Sequence, residues 1–225
     1  MALITPVIVS GIFAGRVGFL PGESRGSAIA KEALAGHCII GPGGIAGDEH
    51  ADMRAHGDAD KAVHLFPREH YDALAGAFPE ARHLVPGGLG DNLSTLGITE
   101  ETAFIGDIFA LGTARLQIAQ PRTPCWKIDA RCGVEGVAAH VAEHGIAGWY
   151  FRVLTPGGCA AGDALIHTER PSGAISLAYF HRSLRARRPA LEILDRLANA
   201  PGLAAEWVGK IRDRMDWLQK NGDRN

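Results

Sequence analysis

Short apolar runs, each cut off by glycine or another turn residue, set the character of the chain up to Pro171. The clearest are residues 7–9, 102–105, 107–111, 116–118 and 150–154, in a sequence that holds 29 glycines among 225 residues. Runs this brief cannot present a useful helical face, and their β-branched and aromatic content suits a pleated surface. Regular punctuation of this kind predicts a β-barrel or sandwich. One helix interrupts it. Pro67 stands where a first-turn proline is tolerated, and Tyr71, Leu74, Ala75 and Phe78 follow at helical spacing until Pro79.

After Pro171-Ser172-Gly173 glycines thin out and helical periods take over. Leu177, Phe180, His181 and Leu184 share one face. Pro189 opens a second helix carrying Leu191, Leu194 and Leu197, closed by Asn199-Ala200-Pro201-Gly202. A third carries Trp207, Ile211, Met215 and Leu218. Three short amphipathic helices with tight turns predict a small bundle. The chain thus divides into a β-barrel domain over 1–172 and a three-helix domain over 173–225. Arg185, Arg187 and Arg188 lie between the first two helices, as a solvated connector or as a contact for an anion or partner. The bundle has little core of its own, so it is expected to lean on the barrel or on a second subunit, with a homodimer as one outcome.

Composition excludes several classes. A formal net charge of −2 argues against a general nucleic-acid or membrane-surface binder. The N-terminal residues 1–9 carry no basic region and no run long enough to span a bilayer, so neither a signal peptide nor a membrane anchor is expected. The four cysteines, at 38, 125, 132 and 159, form no CxxC pair. Scattered thiols in a chain of this size point to a reducing, cytoplasmic compartment.

One of those thiols stands apart. Gln120-Pro121-Arg122-Thr123-Pro124-Cys125-Trp126-Lys127 places it between prolines and cations. The alternating run 113–119 before it reads as a strand, and Pro121 must end that strand's ladder. Cys125 therefore sits on a stiff loop at a strand end. Arg122 and Lys127 can favour its thiolate, the form that acts as nucleophile or soft-metal ligand. A small residue tucked into a turn explains the same thiol equally well.

Two further segments are chemically loaded. Residues 47–64 concentrate histidine and carboxylate, yet contain no HExxH and no calcium-loop glycine at the needed offset. Residues 87–94 place glycines where backbone can approach a ligand, with Asn92 offering donor and acceptor, although a tight turn before a strand is the commoner use. Gly41-Pro42-Gly43-Gly44 fits no phosphate-loop pattern and reads as a turn.

Taken in order, SAIAK (27–31), GDEHAD (47–52), HGDADKAVH (56–64), GDNLST (90–95), GDIFALG (106–112), QPRTPC (120–125) and GWYFRVLTPG (148–157) resemble the MOSC family, the molybdenum-cofactor sulfurase C-terminal domain. The match extends over nearly the whole chain to the YiiM-like branch, which adds a C-terminal three-helix (3-alpha) domain. The resemblance implies a mainly β fold with α: a MOSC-type β-barrel followed by a small three-helix bundle. It implies a molybdopterin-type molybdenum cofactor, with Cys125 as catalytic residue and metal ligand. Lys31, His56, Lys61, Asp91, Asn92 and Arg122 become the expected cofactor-binding residues. Asp58 and Ala59 replace the family's glycine and proline, and Asp91 its glutamate.

The activity so implied is detoxifying reduction of small N-hydroxylated compounds: hydroxylaminopurine-type bases, amidoximes or hydroxylamines. The cysteines lack cluster spacing, so a separate electron-donor protein is implied. A second reading is a sulfur- or cofactor-carrier module using a Cys125 persulfide. A third is a metal-dependent hydrolase using residues 48–64, whose ligand spacing is irregular.

Overall fold

A computed structural model describes residues 5–52 and 58–221. The strands are β1 (Val7–Ala14), β2 (Gly18–Phe19), β3 (Gly26–Ser27), β4 (Glu32–Ala33), β5 (His37–Gly41), β6 (Gly44–Ile45), β7 (Val63–Pro67), β8 (Leu93–Thr95), β9 (Ile108–Leu111), β10 (Ala114–Pro121), β11 (Trp149–Thr155), β12 (Gly157–Ala160) and β13 (Ala164–Glu169). The α-helices are α1 (Arg68–Ala77), α2 (Lys127–Cys132), α3 (Val137–His144), α4 (Leu177–Arg185), α5 (Leu191–Ala198) and α6 (Ala205–Asn221).

Seven strands close on themselves in the order β13-β9-β10-β11-β7-β8-β1, with β1 pairing back to β13 through Val7–Leu165 and Ile8–Ala164. Closure removes the exposed sheet edges that an open sheet would leave. The expected barrel is therefore present, and every pairing in it is antiparallel except β7 with β8. That parallel strand β7 is buried along its whole length, as parallel strands commonly are. Trp149, Phe109 and Phe151 fill the interior with Ile12, Leu65 and Leu93.

The sequence pattern misses two helices and places one strand that does not form. Helices α2 and α3 are short and bounded by glycines in left-handed conformation, Gly133, Gly136 and Gly145, so neither repeats its apolar face long enough to register. They pack with α1 into a second apolar cluster containing Phe66, Tyr71, Leu74, Ile128, Val137 and Val141. Residues 102–105 make turns and a single bridge from Phe104 to Ser176. There the Asp107 carboxylate accepts from Phe104 N at 3.0 Å, and side-chain bonding of that kind competes with a ladder.

The three C-terminal helices form where the periodicity places them. Their buried residues Leu177, Phe180, Leu194, Leu197, Ile211 and Leu218 belong to the same apolar cluster as the barrel interior. Backbone bonds tie the parts together: Leu177 N donates to Ala103 O at 3.0 Å, Ala178 N to Glu100 O at 2.9 Å, and Ala204 N to Ala119 O at 2.9 Å. Among the described residues no helix is long and apolar enough to cross a membrane.

Candidate functional site

Between Ile118 and Gln120 strand β10 carries one residue more than its partner β11, so Ala119 bulges from the ladder. A bulge bends its strand and re-aims the chain beyond it. Pro121 is the last residue paired with β11, and the loop 122–126 then leads into α2. The prolines fix their own φ, Arg122 N donates to Gly148 O at 3.2 Å, and Cys125 O accepts from Ile128 N at 3.0 Å. The loop is thus tied at both ends, and it presents a half-buried Cys125 to a cleft.

Lys31, Lys61, Asn92 and Arg122 line that cleft with Cys125, despite their separation in sequence. Glu49, His50, His64, Lys127 and Tyr150 complete most of its polar wall. The cleft encloses about 80 Å³ and reaches about 580 Å³ out to its open mouth, so a large ligand would lie along the opening.

Lys31 Nζ lies 2.5 Å from Asp48 Oδ1 and also bonds Oδ2, with side-chain exposures of 6% and 1%. Burial lowers the Lys31 pKa, while the charge and hydrogen bond of Asp48 oppose that shift. Asp48 Oδ1 also accepts from Gly15 N at 2.8 Å and its Oδ2 from Asn92 Nδ2 at 2.8 Å. Asn92 is fully committed: its Oδ1 accepts from His64 N at 3.0 Å, and Nδ2 donates to Phe13 O at 3.1 Å. That side chain clamps β1 to β7 and also lines the cleft.

Asp91 does not line the cleft. It is fully buried, accepting from Tyr71 Oη and, at 2.9 Å, from Gly87 N. Burial raises its pKa, against the pull of those hydrogen bonds. It holds the 87–90 turn in place from behind. His56 lies outside the described residues.

His64 and Tyr150, whose rings stand 5.0 Å apart, were not among the expected residues. His64 Nε2 lies 3.1 Å from Ala147 O and Nδ1 3.3 Å from Gly90 O. Burial, with Arg122 next in weight, holds its pKa well below the ordinary value, so the ring is neutral and its single N–H serves one carbonyl. Burial raises the Tyr150 pKa, with Arg122 pulling the other way. Both residues belong to recognisable segments, HGDADKAVH and GWYFRVLTPG, but the barrel pairing of β7 with β11 sets them side by side.

Lys61 Nζ pairs with Glu206 Oε2 of α6 at 2.6 Å, and Lys210 Nζ meets the other Glu206 oxygen at 2.5 Å. Nothing in the sequence signals that link. Among the described residues, which leave out 53–57, no three His, Cys, Asp or Glu side chains gather as metal ligands.

Fold and site together make a closed seven-stranded barrel with a loop thiol in a lysine- and arginine-lined cleft. The chain belongs to the MOSC domain family, which residues 52–166 match. Among its relatives, protein YiiM of Escherichia coli (strain K12) is 34% identical over 209 residues, 90% of each chain. A protein of Gibberella moniliformis named "Reductase" is 35% identical across 87% of this chain, which spans 35% of that longer protein. The crystal structure of YiiM from Geobacillus stearothermophilus has a TM-score of 0.79 to this chain at 28% identity, covering 93% of this chain and 100% of that one.

Proposed function

We propose that this protein is a reductase of N-hydroxylated compounds that works with a molybdopterin-type molybdenum cofactor held at Cys125. The observation that carries this reading is the meeting of one half-buried thiol with Lys31, Lys61, Arg122 and Lys127 in a single cleft. The residues fit such a group. A thiolate is a soft ligand suited to that metal class. Arg122 is 8% exposed, and its Nη1 has no hydrogen-bond partner among the described residues. A guanidinium so placed suits phosphate or pterin oxygens through charge-assisted bonds. Family membership and the relative named as a reductase support redox chemistry.

When bound, the cofactor supplies the two-electron chemistry that takes oxygen from an N–OH group. The protein supplies ligation, position and charge. Cys125 offers the metal-binding sulfur, and the loop tied by Pro121, Pro124 and the Arg122–Gly148 bond keeps it in place. Arg122 and Lys127 bring positive charge to an anionic ligand, while Lys31 is held by Asp48 and Lys61 by Glu206. Tyr150 keeps its phenolic proton at neutral pH and can hold it toward an oxygen in the cleft. A separate protein delivers the electrons.

Protein purified from a molybdopterin-competent host is expected to contain molybdenum and to reduce benzamidoxime or an N-hydroxylated purine with an artificial electron donor. Cys125→Ser is expected to lose that activity while keeping the wild-type circular dichroism and melting curve. Reduction by Cys125→Ser at the wild-type rate would remove Cys125 as ligand. Labile sulfane sulfur on Cys125 without molybdenum would favour the carrier reading.

A further inference from the structure

The loop 122–126 has two sides, and the cleft occupies only one. On the other side lies a second pocket of about 200 Å³, open to solvent at its mouth, between that loop, α3, α4 and the start of α6. Its apolar walls include Pro121, Pro124, Val141, Phe180, Leu184 and Trp207. An apolar cavity of about 150 Å³ is enough to take up benzene. A substituted single aromatic ring therefore fits this volume, with its substituent free to reach the open mouth.

Polar groups at this cavity are few, and their state differs. Glu100 is satisfied: Oε1 accepts from Gly148 N at 2.8 Å, and Oε2 lies 2.7 Å from His70 Nε2. His181 is engaged through Nε2 with Ala142 O at 2.7 Å. Arg185 stands on the rim, 3.5 Å from Glu143, with both side chains more than half exposed. Arg122 is the exception. It lines this cavity as well as the cleft, is 8% exposed, and keeps Nη1 without a hydrogen bond among the described residues. No described carboxylate lies within ion-pair distance of it. The charge of Arg122 is felt at Asp91 and at Tyr150, which it also bonds, but neither closes an ion pair with it. A buried cation without an ion-pair partner is costly, and the cost falls when a ligand supplies an anionic oxygen.

We propose that this cavity is a second ligand pocket, taking a small aromatic monoanion whose ring fills the apolar space and whose acid group meets Arg122. Five N–H donors let one guanidinium serve both sides of the loop. A ligand here would share Arg122 with the cleft that Cys125 lines. Occupancy of the two sites is then coupled through Arg122.

The proposal stands apart from the reductase reading, because its test needs neither molybdenum nor turnover. The probe is 4-ethylbenzoate, titrated calorimetrically into the full-length protein with the neutral 4-ethylbenzamide as control. The acid is expected to bind with a Kd of about 1 mM or tighter. The amide is expected to bind about tenfold more weakly, for want of one charge-assisted bond. Leu184→Trp, which fills the pocket from a half-buried helix position, should weaken the acid at least about tenfold. Arg122→Gln should erase the preference for acid over amide. Arg122→Gln removes a buried cation and can unfold the chain, in which case the acid–amide comparison and Leu184→Trp still decide. Absence of binding, equal binding of acid and amide, or unchanged binding by a folded Leu184→Trp protein would each overturn the proposal.

Discussion

Cys125 differs from its fellow cysteines in surroundings rather than in chemistry. Burial pushes the Cys132 thiol up to about 11 and the Cys159 thiol up to about 12. Cys38 is buried against Cys159, with the sulfurs 3.4 Å apart across paired strands. Only thiolate attacks an alkylating agent, and only an exposed one is reached. Brief iodoacetamide treatment of the folded protein is therefore expected to modify Cys125 ahead of the rest, as peptide mass mapping would read. Equal labelling of Cys132 or Cys159 before unfolding would contradict their burial. The proline-flanked setting of Cys125 is written in its own segment. The cleft around it is not: Asp48 and Asn92 stand in separate candidate segments, and neither segment signals that the fold joins them 2.8 Å apart.

At the scale of elements, local signals work where they repeat and fail where they are brief. Helices α1, α4, α5 and α6 each show several apolar residues at helical spacing, and all are legible in the sequence. Helices α2 and α3, bracketed by glycines, are not. The joint between barrel and bundle rests on glycines too. Gly106 has φ +86, and a Cβ there would stand 2.3 Å from Pro201 O. Gly162 has φ +98, but a Cβ would meet nothing within 4 Å. The two positions separate backbone strain from contact. Gly162→Ala is expected to cost only the left-handed strain, about 1–2 kcal/mol. Gly106→Ala should exceed it by at least about 1 kcal/mol, because the 201–202 turn must also move. Urea midpoints of the two variants test this, and equal losses would show that the 106–201 contact yields freely.

At the scale of the whole molecule, the C-terminal helices reach the cleft. Lys210 and Lys61 hold the Glu206 carboxyl down to about 2, from an ordinary value near 4.5. An acid depressed in the folded state contributes its stability above the ordinary value and loses it as the pH falls through the depressed one. The melting temperature of Glu206→Gln should therefore lie below wild type at neutral pH, with the gap closing between about 4.5 and about 2. Glu206 is more than one-third exposed, so the gap should also shrink in high salt. A gap independent of pH would mean that the substitution acts through packing instead.

By itself the sequence determined the elements whose physics is local. These are the short strands, the long-period helices, the glycine turns and a thiol on a rigid strand-end loop. Tertiary structure alone decided which of those elements share a wall. The barrel's closure sets His64 beside Tyr150, brings Asp48 to Lys31, and turns Asp91 inward to Tyr71. It also lays α6 where Glu206 meets Lys61, 145 positions away. Hydrophobic periodicity records which face of an element is buried, but not which neighbour covers it. The partners of a buried charge are chosen by strand pairing and helix packing, and no short stretch of chain encodes either.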